Sequence, residues 1–207
     1  MNIITGYLSA TEGSVSVMGK STLDDPNGVK ALIGYLPELP PLYLVMTVRE
    51  SLDFIFDLKK VKLDRKSHIK EICEVTKISN VYGRIIGNLS KGYKQRVGIS
   101  QAILGKPEIV ILDEPTVGLD PRQILQIRAL IKELGKHHTV ILSSHILSEI
   151  SEVADVVLIL SHGRLVAQDT PENLAKHAAG SNRTTVTVKG EKETVLAAVS
   201  ALPLTVS

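Results

Sequence analysis

The sequence predicts an α/β fold built on a parallel sheet, and three features carry that expectation. Ile109-Val110-Ile111-Leu112 is an uninterrupted apolar run, and Thr139-Val140-Ile141-Leu142 is nearly one. Such runs suit strands buried on both faces, as parallel strands are. Between them, residues 122–135 put Ile124, Ile127, Ile131 and Leu134 on one helical face. A strand, a helix and a second strand in that order make a crossover unit, right-handed in nearly all parallel sheets.

At 207 residues the chain accommodates one domain with an appendage better than two full domains. The net charge of +2 provides no strong field for gripping nucleic acid, so no nucleic-acid partner is expected. No apolar stretch approaches the roughly 20 residues of a membrane helix. MNIITGYLSATEG lacks the pattern of a secretory signal, which makes the cytoplasm the expected location. Cys73, the single cysteine, lies among Ile69, Ile72 and Thr76 at helical spacing and reads as a buried thiol.

Taken in order, Ser14–Val17 and Ile33–Leu36 read as short strands separated by the turn-rich LDDPNG. Thr47 with Glu50 three residues later forms a capping box for a helix from about Val48 to Lys59. A second amphipathic helix is expected near residues 66–77. Ser90 then caps a helix carrying Tyr93, Val97 and Leu104, which Gly105 and Pro107 end. Past the crossover unit, Val156–Leu160 and Arg164–Gln168 read as a hairpin across Ser161-His162-Gly163. A helix follows Pro171, then a strand over Thr184–Val188 and a helix over Glu193–Leu202.

The chemistry-bearing residues stand at element ends. ILDEP brings Asp113 and Glu114 to the C-terminal edge of a buried strand, where one carboxylate can hold a metal ion and its neighbour can orient or deprotonate water. A solvated acidic turn would have the same sequence. LSKGYKQR places the Ser90 hydroxyl and the side-chain-free Gly92 at a helix N-terminus, where free amides and the dipole attract phosphate. By itself that pattern is also a simple cap. His145, after the second buried strand in LSSH, can reach a phosphate or serve structure alone.

In this order the segments resemble the ABC ATPase family over residues 1 to about 175. LSKGYKQR looks like the signature motif, VILDEP like the Walker B strand, GLDP like the D-loop and LSSH like the switch-histidine segment. The resemblance implies a P-loop NTPase-like parallel sheet with a β-rich edge and a helical subdomain at about 47–105, incomplete at the N-terminus. Residues 1–180 would form the ATPase domain, and 181–207 the start of a small regulatory α+β domain. ATP and Mg²⁺ are the implied ligands. Asp113 would bind Mg²⁺ through water, Glu114 would be the general base, His145 would contact the γ-phosphate and Asp120 would sit at a dimer seam. Ser90, Lys91, Gly92 and Gln95 would face ATP held by a second ATPase subunit. A transmembrane permease subunit is the other implied partner, and it would place the protein on the inner face of the membrane.

Two departures from the family follow. Its phosphate loop should precede all of this, and Met1–Gly6 resembles the helix that normally comes after it. A strand beside Ile109–Leu112 would be missing with the loop, leaving that run short of a neighbour. Gly19-Lys20-Ser21-Thr22 is no substitute, since Ser14 stands where the pattern needs glycine and no helix is expected directly after it. The second departure is Leu39 in YLPELPPLY, at the family's glutamine position; leucine can neither coordinate Mg²⁺ nor position water. An ATP-hydrolysing subunit is therefore weighed against a silent subunit or gene fragment that only lends its signature motif to a partner's ATP.

Overall fold

In the computed structural model, which describes residues 1–179, 189–190 and 193–195, the chain opens with a helical turn over residues 1–5. The turn closes where the Tyr7 N–H donates to the Asn2 carbonyl at 2.9 Å and the Gly6 N–H to that of Ile3 at 3.1 Å. This closure needs a left-handed residue, which Gly6 supplies at φ 70°. Strands β1 (Ser16–Val17) and β2 (Lys20–Ser21) form a short antiparallel hairpin. Gly19 to Thr22 lie in that hairpin, and Lys20 is drawn to Asp25 at 3.6 Å. No helix opens on them, in keeping with their rejection as a phosphate loop.

The turn expected at LDDPNG is partly helix. Helix α1 (Pro26–Leu32) starts there because the Asp25 carboxylate accepts from the Gly28 N–H at 2.8 Å and Pro26 takes the first helical position, where its missing N–H costs nothing. Val29 then fixes the helix by burial at 1% exposure. Strand β3 (Ile33–Leu36) follows, then α2 (Val48–Leu58) behind the expected capping box: the Glu50 N–H donates to Thr47 Oγ1 at 3.2 Å while the Glu50 carboxylate accepts from the Thr47 N–H at 2.8 Å. Helix α3 (Arg65–Val75) and helix α4 (Lys91–Ile103) are capped by Asp64 and Ser90. Cys73 is buried as expected, and that burial pushes its thiol up to about 11.

Strand β4 (Ile109–Asp113), helix α5 (Pro121–Leu134) and strand β5 (Thr139–Ser143) realise the crossover unit. Helix α6 (Leu147–Ser151), the hairpin β6 (Val157–Ser161) and β7 (Arg164–Asp169), and helix α7 (Pro171–Ala179) complete the described part. The expected strand at Thr184–Val188 lies outside the described residues, as does the expected helix beyond Val195. Among the described residues, no helix is long and apolar enough to cross a membrane.

The main sheet has the order β3-β4-β5, all parallel, with Gly34 opposite Val110 and Val110 opposite Val140. The missing neighbour expected beside Ile109–Leu112 is thereby corrected: β4 is the central strand, because both strands that pair with it belong to this chain. Its side chains alternate between two cores. Ile111 packs with Val17, Val29 and Ile33, while Val110 and Leu112 join the larger core of α2 to α5. All three are 0% exposed, and complete burial of such a side chain is worth about 1.5–3 kcal/mol.

One cation is used as a structural cap. The ammonium of Lys59, just past α2, donates to the carbonyls of Gln101, Ala102 and Leu104 at 2.7, 2.9 and 3.1 Å, at the C-terminal end of α4. Burial pulls its pKa down to about 8, a cost that those carbonyls and the negative end of the helix dipole offset.

Candidate functional site

Parallel pairing delivers three side chains to one edge of the sheet. Asp113, the last residue of β4, stands opposite Ser143, the last of β5. The Ser143 hydroxyl donates to Asp113 Oδ1 at 2.5 Å and accepts from the Glu114 N–H at 3.0 Å, so one side chain ties the Asp113 carboxylate to the next backbone unit. On the other flank, Tyr35 of β3 reaches the same carboxylate. Burial raises the Tyr35 pKa and the neighbouring Asp113 raises it further; the Tyr35 hydroxyl donates to Asn2 Oδ1 at 3.4 Å.

Glu114 turns the chain out of β4 with φ 46°, a left-handed conformation rarely adopted outside glycine, asparagine and aspartate. Its side chain is 20% exposed and meets His145, whose Nδ1 lies 3.0 Å from both carboxylate oxygens. The hydrogen bond and charge of Glu114 raise the His145 pKa above 6.5. Glu114 and His145 thus meet beside Asp113. Asp113 and Glu114 offer carboxylate oxygens, the donors that hard cations prefer, and no group of three or more metal-binding side chains occurs among the described residues.

A second group forms where α4 and α5 begin. Ser90 Oγ accepts from the Tyr93 N–H at 3.5 Å, and Asp120 caps α5 by accepting from the Gln123 N–H at 2.9 Å. A Cβ on Gly92 would lie 2.7 Å from Gln123 Cδ, so the end of that flexible side chain packs against the bare glycine backbone. Lys91 folds over the loop after Glu114, where its Nζ would stand 2.2 Å from a Cβ on Gly118. Ser90 and Gly92 open onto a cavity of about 360 Å³ that Lys77, Asn80, Arg96 and Gln126 make polar and partly basic. Gln95 is not among its lining residues and is only 5% exposed. Leu39 is 82% exposed.

These positions can be set beside known proteins. The sequence profile described as ABC transporter matches residues 1–117, more than half of the chain. The chain belongs to the ABC transporter family. Within it, similarity is to the ATP-binding subunits. The bacitracin transport ATP-binding protein BcrA of Bacillus licheniformis is 35% identical over 178 residues, which are 85% of this chain and 58% of that protein. An ABC transporter ATP-binding protein of Bacillus subtilis, YxlF, is 35% identical over 196 residues, 93% of this chain and 64% of that protein. The chain therefore spans about three-fifths of the length of these relatives. Among solved structures, an ATP-binding subunit of an ABC transporter superposes with a TM-score of 0.75 at 26% identity, covering 88% of this chain and 77% of the other. A dimeric ATP-binding cassette bound to ADP and Pi shares the fold at 23% identity and a TM-score of 0.71, over 82% of this chain and 78% of that one. The α/β fold with its parallel sheet is that of an ABC ATPase.

Sequence reasoning missed Ser143, Tyr35, Thr116 and Glu149. Ser143 sits in the same LSSH as His145, and its place opposite Asp113 comes from the strand register, which only the assembled sheet sets. Thr116 and Glu149 have no local motif; only the fold brings them into contact.

Proposed function

We propose that the protein is an ATP-hydrolysing subunit that drives a separate membrane permease. The observation that carries this reading is the Glu114–His145 pair at the end of the central strand, 3.0 Å apart beside Asp113. Glu114 has the place of a general base: its carboxylate lies at the sheet edge and its partner imidazole holds it in one orientation. His145, 68% exposed in its side chain, has the reach to meet a terminal phosphate. Asp113, fixed by Ser143, is the residue that would hold Mg²⁺ through water, and the ion would neutralise phosphate charge when bound. Ser90, Lys91 and Gly92 would present a helix N-terminus and a cation to ATP carried by a second ATPase subunit, with Asp120 at the seam. Gln95 would support this helix from within.

A second reading, a subunit that binds without hydrolysing, is favoured by Leu39, which supplies no polar group at the family's glutamine position. Turnover by the wild type, set beside one variant, separates the two. Glu114→Gln keeps the shape of the base and removes its proton-accepting charge, so ATP binding measured by calorimetry should persist while turnover falls about 10²- to 10⁴-fold. Turnover unchanged from wild type would remove Glu114 from the mechanism, and a wild-type protein that binds but does not turn over would establish the silent subunit.

A further inference from the structure

Two residues beyond Glu114 and four beyond His145, a second side-chain bond joins the same two segments. Thr116 Oγ1 donates to Glu149 Oε2 at 2.5 Å, and each residue is only 7% exposed. Arg128 of α5 closes the cluster from a third side. Its Nη2 is 3.9 Å from Glu149 Oε1 and its Nη1 is 2.6 Å from Glu152 Oε2, while its Nε is buried with no hydrogen-bond partner.

Burying a carboxylate carries a large desolvation cost, which pairing offsets only in part. An apolar residue at position 149 would anchor α6 without that cost, so stability alone is a poor reason for the glutamate. Helix α6 has five residues, far fewer than the roughly 12 at which an isolated helix becomes even marginal, and needs tertiary contacts to exist. The backbone arms 114–116 and 145–149 are cross-linked at one end by Glu114 and His145 and at the other by Thr116 and Glu149. With the Thr116–Glu149 bond made, the backbone that carries the imidazole stays beside the backbone that carries the carboxylate, while both side chains still turn about their own bonds.

We propose that Glu149, bonded to Thr116 and braced by Arg128, is a positioning residue that sets the separation of His145 from Glu114. Its catalytic meaning rests on the function proposed above; the geometry does not. Glu149 touches no reacting atom and acts through α6 on the segment that carries His145.

The test is nuclear magnetic resonance of the His145 imidazole in the full chain without nucleotide. The charged groups facing His145 are Glu114, Glu149 and Glu38. Thr116→Val leaves all of them in place while deleting the bond to Glu149, and Glu114→Gln marks the titration of an unpaired His145. The His145 midpoint in Thr116→Val should fall at least half of the way to that of Glu114→Gln, whereas Thr116→Ser, which keeps the hydroxyl, should follow wild type. Thr116→Ala, which cannot overpack, is the second variant if valine impairs folding. A wild-type His145 curve in folded Thr116→Val or Thr116→Ala would overturn the proposal even if the melting temperature fell, since the cluster would then be a staple for α6 only. Because no nucleotide is present, absence of ATP hydrolysis by the wild type would count against the proposed function and leave this result standing.

Discussion

Gly34 is where added bulk meets backbone. It lies in β3 beneath the C-terminal end of α4, and a Cβ there would stand 2.2 Å from the Ala102 carbonyl oxygen, 2.8 Å from its carbon and 3.0 Å from Pro107 Cγ. To bring the oxygen contact from 2.2 Å to an ordinary 3.4 Å, α4 and β3 must separate by about 1.2 Å. Two effects oppose each other in Gly34→Ala. Alanine reduces the freedom of the unfolded chain, a gain of about 0.4–1 kcal/mol. Overpacking costs about 1–3 kcal/mol, and the upper end applies because helix backbone cannot rotate away as a side chain can. The clash wins, for a net loss of about 2 kcal/mol. For a chain of this size that is a fall in melting temperature of about 4–8 °C. Thermal unfolding followed by circular dichroism, together with the urea midpoint, measures it. A midpoint equal to or above wild type would refute the packing of α4 on β3 described here.

Lys59→Met should cost about 2 kcal/mol by urea unfolding, since three carbonyls at the end of α4 lose an ammonium donor; an unchanged midpoint would mean that water replaces it freely. Glu114 raises the His145 pKa, so the stability carried by this pair is complete below about pH 6.5 and is lost as pH rises through the elevated value. Comparing urea midpoints of wild type and Glu114→Gln across that window should show the loss in wild type only, and parallel curves would remove the interaction. Leu39→Gln, at a site 82% exposed, should alter stability by no more than about 0.5 kcal/mol and should raise ATP turnover. Equal turnover would mean that the step does not use an amide at this position.

Elements whose signal is local were legible. The capping box of α2 and the Ser90 cap of α4 are written within four residues, and the apolar run of β4 announces burial on both faces. The segment of helix α1 reads as a turn in the sequence because an aspartate cap followed by Pro-Asn-Gly has the same short-range chemistry in either case; the burial of Val29 against the small core decides for helix, and that is a tertiary fact. Strand order was illegible for a related reason. Nothing in Ile109–Leu112 tells which strands flank it, so the resemblance alone puts the family's missing strand beside it, where β3 and β5 both pair. Within the site, Asp113, Glu114 and His145 are candidates by type and position, whereas the Ser143–Asp113 and Thr116–Glu149 bonds span about 30 residues or more of sequence and exist only once the sheet is assembled.

The left-handed backbone of Glu114 sets stability against activity at a single residue. Holding a side chain of this size at φ 46° costs about 1–2 kcal/mol, which glycine would not incur and asparagine would incur less. Laboratory selection for thermal tolerance at a pH above the His145 titration, where the pair with Glu114 no longer contributes, should therefore enrich Glu114→Gly and Glu114→Asn, and each stabilised clone would have discarded the carboxylate that the proposed chemistry requires.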